Sequence, residues 1–167
     1  MALVQSTLAS GLASMTPTLN EGDAISAFVS AFESYWNGAT VSGAALVAGS
    51  IDAGLSAMQG AMAGLSASGQ GASKIAAGVS AFWTAQALLA TSMWVTAPIV
   101  LVPPITPPPG LGGLQASLES AFTSNLASEA DLATAAGSIA AAIHTANSGG
   151  LVPGSVPPAA PAPIPIL

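Results

Sequence analysis

The sequence predicts an all-α fold of antiparallel helical hairpins, with no sheet of three or more strands. Apolar residues recur every three or four positions in six segments, which is the period of one face of an α-helix. Glycine, proline and short polar runs separate these segments, and such runs are typical of turns. Helices joined by short turns pack as antiparallel neighbours.

The clearest helical period lies in the second segment. Its apolar side chains fall at i, i+3, i+4, i+7, i+10 and i+11, and they are Ile25, Phe28, Val29, Phe32, Tyr35 and Trp36. Asn20-Glu21-Gly22-Asp23 precedes this run and indicates a helix start, because acidic and amide side chains accept from the free amides of a first turn. Gly38 is predicted to end the helix.

The same spacing recurs in the other five segments. The second helix of each later hairpin carries Ile75, Val79, Phe82, Gln86, Leu89 and Met93, or Leu132, Ala136, Ile139, Ile143 and Ala146. The first helices carry Val4, Leu8, Leu12 and Met15, then Val47, Ile51, Leu55, Met58, Met62 and Leu65, then Leu114, Leu118 and Phe122. The spacing predicts a set of core or subunit-interface residues, namely Phe28, Phe32, Trp36, Val79, Phe82, Ile139 and Ile143.

Further local signals refine these helices. Ser128-Glu129-Ala130-Asp131 resembles a capping box before the last helix, with Asp in place of Glu. Gly60 and Gly64 form a GxxxG pattern, which predicts a close approach to a neighbouring helix. Gly11–Met15 recurs as Gly54–Met58. We interpret such recurrences as three copies of one hairpin, and chance similarity in a text rich in Ala, Ser and Gly remains the alternative.

Two proline-rich segments divide the chain. We expect two hairpins in residues 1–97, an extended linker in 98–110, a third hairpin in 111–150 and an extended C-terminal arm in 151–167, because proline lacks the amide donor that a helix needs. The arm is apolar and ends in Pro163-Ile164-Pro165-Ile166-Leu167. We expect it to lie across a neighbouring subunit, with Ile164, Ile166 and Leu167 among its contact residues.

The chain is unusually poor in charge. Charged residues make up 5% of the sequence, whereas an ordinary soluble domain carries about a quarter. A freely diffusing monomer needs mixed charge to stay apart from its neighbours, so we expect homo- or hetero-oligomeric contact with other protein subunits. One lysine, no arginine and a net charge of −6 exclude a nucleic-acid partner, since phosphate binding needs cations.

The sequence offers no constellation for catalysis, a metal or a cofactor. The absence of cysteine excludes disulfides and thiolate chemistry. His144 is the only histidine and is interpreted as a polar residue near a helix C-terminus. The serines lack a predicted base, and Gly69–Lys74 lacks the spacing of a phosphate loop. We therefore expect a protein that is not an enzyme.

Membrane insertion is the alternative. Residues 79–97 carry no charge and approach the length of a membrane span. Ser80, Thr84 and Gln86 interrupt this stretch and Pro98 ends it, which disfavours a span. The first residues lack a basic region and a clear apolar run, so we expect synthesis in a bacterial cytoplasm without a Sec signal peptide.

In its general layout, this charge-poor chain, rich in Ala and Gly and built of helical segments, resembles the small structural subunits of phage virions and phage-like contractile tails. The resemblance implies a non-enzymatic structural subunit, such as a minor virion, neck, tail or baseplate component located in the assembled particle. A membrane-embedded or membrane-active helical protein, similar to a holin, is the other function that the sequence allows.

Overall fold

A computed structural model describes most of the chain. For the strands, only the backbone is described. The described residues are 3–15, 20–41, 44–45, 47–67, 69–87, 100–101, 107–148, 151–155 and 162–165.

Six α-helices dominate the described residues, and the prediction of an all-α fold is confirmed. The helices are α1 (Gln5–Ala13), α2 (Glu21–Trp36), α3 (Asp52–Ala61), α4 (Gly71–Gln86), α5 (Leu114–Ala127) and α6 (Leu132–Asn147). A 3-10 helix, Pro109–Gly113, leads into α5. Five short strands accompany them: β1 (Thr40–Val41), β2 (Ala44–Ala45), β3 (Val100–Leu101), β4 (Leu151–Ser155) and β5 (Ala162–Pro165).

Consecutive helices pack in pairs, α1 with α2, α3 with α4 and α5 with α6, and α6 also packs on α1. A Cβ atom added at Gly54 would lie 2.6 Å from the Phe82 ring, and one at Gly78 would lie 2.7 Å from Cγ of Met62. The start of α3 therefore faces the end of α4, and these two helices are antiparallel. The repetition of one hairpin three times stays a prediction.

The ends of α1, α3 and α5 and the starts of α2, α4 and α6 lie at one end of the bundle, which we call the turn end. Glu21, at the start of α2, accepts a hydrogen bond from the Gly64 amide in the α3–α4 turn. Phe122, near the end of α5, lies against Gly71 at the start of α4. The opposite end, which we call the far end, holds the last residues of α2, α4 and α6.

The core is built around aromatic rings of α2 and α4. The rings of Phe32 and Phe82 meet edge to face with centroids 5.1 Å apart, and those of Trp36 and Trp83 do so at 5.3 Å. All four side chains are buried. Such pairs add roughly 0.5–1.5 kcal/mol to the stabilisation from burial alone. In a chain made largely of small side chains, this cluster supplies much of the apolar area that folding removes from water.

Side-chain caps start α2 and α6, as the acidic runs predicted. Asn20 accepts a hydrogen bond from the Asp23 amide at 3.0 Å, and Asp131 accepts one from the Thr134 amide at 2.7 Å. The capping-box prediction put Ser128 at the start of α6 and is wrong in this detail. Ser128 belongs to the end of α5, where its hydroxyl donates to the Ser124 carbonyl at 2.9 Å.

Helices approach each other closely at glycines that lie outside the predicted GxxxG pattern. Among the described residues, no heavy atom outside the backbone of α3 itself lies within 4 Å of a Cβ added at Gly60, and Gly64 has left the helix with φ +84°. Instead, Gly54 and Gly78 bring α3 and α4 together, and a Cβ at Gly11 would lie 2.7 Å from Cβ of Ala31 in α2. Spacing identified small residues but not the neighbour that each one faces.

The described parts of the two proline-rich segments pair with each other in a three-stranded sheet, β3-β4-β5. The prediction that no such sheet forms is wrong. The contact of the arm with a neighbouring subunit stays a prediction. Pro153 stands opposite Pro163, and this must be a non-hydrogen-bonded pair, in which neither nitrogen needs to donate to the other strand. Proline has no amide to donate to a neighbouring strand, and this register accommodates it for that reason.

The predicted linker, 98–110, is also not extended throughout. Its last two residues, Pro109 and Gly110, begin the 3-10 helix, since the fixed φ of proline suits the first helical position. A Cβ added at Gly110 would lie 2.8 Å from Cα of Ala146. This close approach fixes the start of the third helix pair against α6.

Candidate functional site

A cluster of polar and aromatic side chains is buried at the far end of the bundle. Trp83 donates from Nε1 to Oδ1 of Asn147 at 2.7 Å, and the Tyr35 hydroxyl lies 3.0 Å from Nδ1 of His144. These contacts tie the ends of α2 and α4 to the end of α6. His144 thus lies near a helix C-terminus, as the sequence indicated.

Several polar atoms in this cluster have no hydrogen-bond partner among the described residues. They are Nε1 of Trp36, Nδ2 of Asn147 and both amide atoms of Gln86. Burial raises the pKa of Tyr35 well above its ordinary value of 10. The phenol therefore stays neutral at physiological pH. Among the described residues that form these contacts, none is a carboxylate.

An open apolar cleft of about 290 Å³ lies at the turn end. Its lining comes from α1, α2, the α3–α4 turn, α4 and α6, and consists of Leu12, Met15, Phe28, Leu65, Ile75, Leu132, Ala135, Ala136 and Ile139. Leu132, at the first position of α6, is 47% exposed. The cleft is therefore accessible from solvent, and all of its lining residues in the described part of the chain are apolar.

Acidic residues surround this end of the bundle. Glu21 and Asp23 begin α2, Glu129 and Asp131 precede α6, and Lys74 is the one cation in the sequence. Three helix N-termini and three C-termini meet here, so the helix dipoles largely cancel. Four carboxylates and one ammonium group leave the turn end with a formal charge of −3.

Glu21 joins the first two helix pairs beside the cleft. Its carboxylate accepts from the amides of Gly64 and Ser66 at 2.8 and 3.2 Å, and from the Ser66 hydroxyl. The hydroxyl, followed by the two amides, lowers the pKa of Glu21 below its ordinary value of 4.5. Leu65 lies between these donors in sequence, so the carboxylate holds the turn that places Leu65 in the cleft.

Replacing Glu21 by glutamine is expected to lower the melting temperature at pH 7. The folded-state pKa of Glu21 is depressed, so its carboxylate stabilises the fold above the unfolded-state pKa, and this stabilisation is lost as pH falls through the lower folded-state pKa. The difference between the two proteins should therefore shrink below about pH 4.5. Thermal melts at pH 7 and in acid measure it.

Glu119→Gln is the matched control for this substitution. Glu119 is exposed and accepts from Gln115 on its own helix, so we expect little change in the melting temperature at pH 7. An equal loss of stability for Glu21→Gln at neutral and acidic pH would contradict a role for the ionised carboxylate.

A second groove, of about 420 Å³, runs between α1 and α2 and is rich in serine. Ser14 donates to the Gly11 carbonyl at 2.7 Å and Ser34 to the Ser30 carbonyl at 3.0 Å. These hydroxyls serve the backbone of their own helices, and the described residues that line the groove include no histidine or carboxylate. Among the described residues, no group of His, Cys, Asp and Glu side chains could hold a metal ion.

The predicted contact residues divide between the core and the cleft. Phe32, Trp36, Val79, Phe82 and Ile143 are fully buried in the core. Phe28 and Ile139 line the cleft. Ile164 pairs with Val152 in the sheet, and Ile166 and Leu167 lie outside the described residues.

The sequence did not reveal the cleft itself. Leu65 and Leu132 were assigned to helical faces, and their spacing could not show that three turns meet at one end. The acidic residues before α2 and α6 were the available signal, because each marks a helix start and hence one end of a hairpin.

Within the described residues, no helix combines the length and the apolar character needed to cross a membrane. No protein-family model matches the chain, and no curated protein and no solved structure matches it.

Proposed function

We propose that the chain is a non-enzymatic structural subunit of a large protein assembly, in which neighbouring subunits cover its surface. The supporting observation is the shortage of surface charge together with an open apolar cleft. Helices α1 and α6 pack on each other and contain no Asp, Glu, Lys or Arg. A surface of this kind does little to keep separate molecules apart in solution.

Exposed apolar side chains add to this support. Leu126 is 83% exposed at the end of α5, and Leu132 is 47% exposed at the start of α6. Single exposed leucines are ordinary on protein surfaces. They stand six residues apart in sequence, on either side of the turn between α5 and α6. Leu132 also lines the cleft, and exposed apolar surface around such a cleft is typical of interaction sites.

We propose a phage virion or a phage-like contractile tail as the assembly, with the chain as a minor neck, tail or baseplate component. This part of the proposal is based on the resemblance in layout to small helical virion subunits rich in Ala and Gly. In that setting the chain is made in a bacterial cytoplasm and incorporated into the particle.

Sedimentation and lipid flotation of the untagged chain from its natural source test this proposal. We expect the chain, detected with an antibody, to sediment with particles and to stay out of the lipid fraction. Flotation with lipid would replace the proposal with the membrane-embedded alternative. A chain that sediments as a free monomer in every fraction would overturn both.

A further inference from the structure

We propose that the cleft at the turn end docks a segment of another protein subunit that presents one or two large apolar side chains flanked by lysine or arginine. The inference rests on the proposed structural role and names the chemistry of the partner. It is carried by the apolar lining of the cleft and by the acidic residues around it.

The apolar lining determines which side chains of the partner can enter the cleft. An apolar cavity of about 150 Å³ holds a ring the size of benzene, so a cleft of about 290 Å³ has room for roughly two large apolar side chains. Large anchors that enter such pockets typically dominate the binding energy of a protein interface. Leu132, half exposed beside the cleft, would lose its remaining contact with water when an anchor enters.

The charge around the cleft determines which charge is favourable on the partner residues next to the apolar side chains. The turn end carries a formal charge of −3 from Glu21, Asp23, Glu129, Asp131 and Lys74. A second copy docked through its own turn end would bring like charges together, and an anionic lipid would meet the same repulsion. Lysine or arginine on a different subunit would complement the charge, and such complementarity fixes partner choice and orientation.

The cleft is held in place before any partner arrives. Asp131 caps α6 immediately before Leu132, and Glu21 fixes the turn that carries Leu65. Because these lining residues are already ordered, docking costs less conformational entropy than it would on a loose surface.

Two synthetic helical peptides provide the probe. Both carry leucines on one face, and the remaining positions are lysine in one peptide and glutamate in the other. In titration calorimetry with the full chain at low salt, the lysine peptide should bind at least about tenfold more tightly. Its advantage should shrink as salt is added. Equal binding of the two peptides would overturn the charge part of the proposal.

Leu132→Ser tests the apolar part. Serine is compatible with the first turn of a helix, and losing the leucine contact should weaken binding of the lysine peptide by about tenfold. Val4→Ser is the matched control, since Val4 is 40% exposed at the far end and holds the N-cap position of α1. Equal loss in both variants, or no binding by the unaltered chain, would overturn docking in the cleft.

The double variant Glu129→Gln with Asp131→Asn tests the surrounding charge. Asparagine caps a helix as well as aspartate does, so α6 should remain intact in circular dichroism while two charges are removed. We expect weaker binding of the lysine peptide and a smaller salt dependence. An unchanged affinity for the lysine peptide together with an unchanged salt dependence would contradict the assigned role of Glu129 and Asp131.

Neutral phosphatidylcholine vesicles separate a protein partner from a lipid. Binding to vesicles that is lost in Leu132→Ser would assign the cleft to lipid and overturn the inference. Failure of the peptides to bind, while the chain still sediments with particles, would overturn the inference alone. Peptide binding by a chain that is absent from particles would overturn the structural role and leave the cleft chemistry standing.

Discussion

Replacing Phe32 by alanine is expected to destabilise the protein by about 3–5 kcal/mol, the cost of truncating a fully buried phenylalanine. The Phe32 side chain has no solvent exposure, and its ring contacts the rings of Tyr35, Trp36 and Phe82 at centroid distances of 5.9, 6.3 and 5.1 Å. The substitution therefore leaves a cavity between α2 and α4 in addition to removing apolar contact. Urea denaturation followed by tryptophan fluorescence measures the change.

Leu126→Ala is the matched control for Phe32→Ala. It also truncates a large apolar side chain within a helix, but Leu126 is 83% exposed. We expect a change of at most about 0.5 kcal/mol. Similar stability of the Phe32 variant and the unaltered protein would show that the aromatic cluster is not packed as described.

Replacing Gln86 by methionine is expected to stabilise the protein by about 1–3 kcal/mol, the usual cost of a buried polar group without a partner. Gln86 is fully buried, and neither of its amide atoms has a hydrogen-bond partner among the described residues. Methionine has a similar length and enough flexibility to occupy the same space beside Gly54. Thermal and urea denaturation measure the gain.

Asn147→Leu also replaces a buried amide by an apolar side chain, but we expect it to lower the stability of the protein. Asn147 accepts a hydrogen bond from Nε1 of Trp83 at 2.7 Å, so leucine would leave that buried donor without a partner and lower stability. A loss of stability in Gln86→Met would show that the Gln86 amide is hydrogen-bonded in the folded protein, for example through internal water.

A costly glutamine in the core is informative about function. Natural proteins retain destabilising residues where function requires them. If Gln86→Met stabilises the isolated chain, incorporation of this variant into particles would show whether the amide serves the assembled state. Normal incorporation would assign Gln86 no such role.

The helical class and most of the core could be predicted because a 3.6-residue period reports directly which face of a helix is buried. Phe32, Phe82 and Ile143 illustrate this, since each lies on a predicted face and is fully buried. The period carries no information on which helices meet. The close approach of Gly11 to Ala31 and the open surroundings of Gly60 could not be distinguished from sequence for that reason.

Long-range pairing explains the remaining differences. Val100 pairs with Ser155, and residues so far apart in sequence give no local signal of their contact. The cleft depends in the same way on three turns that meet in space. Sequence reasoning found its capping residue Asp131 and its lining residue Phe28, but not the concave surface that they share.

The packing of α6 on α1 sets an order of events during protein synthesis. Helix α1 leaves the ribosome before the other described helices, and its buried Leu8 and Leu12 can be covered on one side by α2 soon afterwards. The other side waits until α6, the last described helix, has been translated. Domains generally fold as units during synthesis, and exposed apolar surface on incomplete chains promotes aggregation. We therefore expect nascent chains that stop before Leu132 to require chaperone protection, because few charges are present to keep them apart.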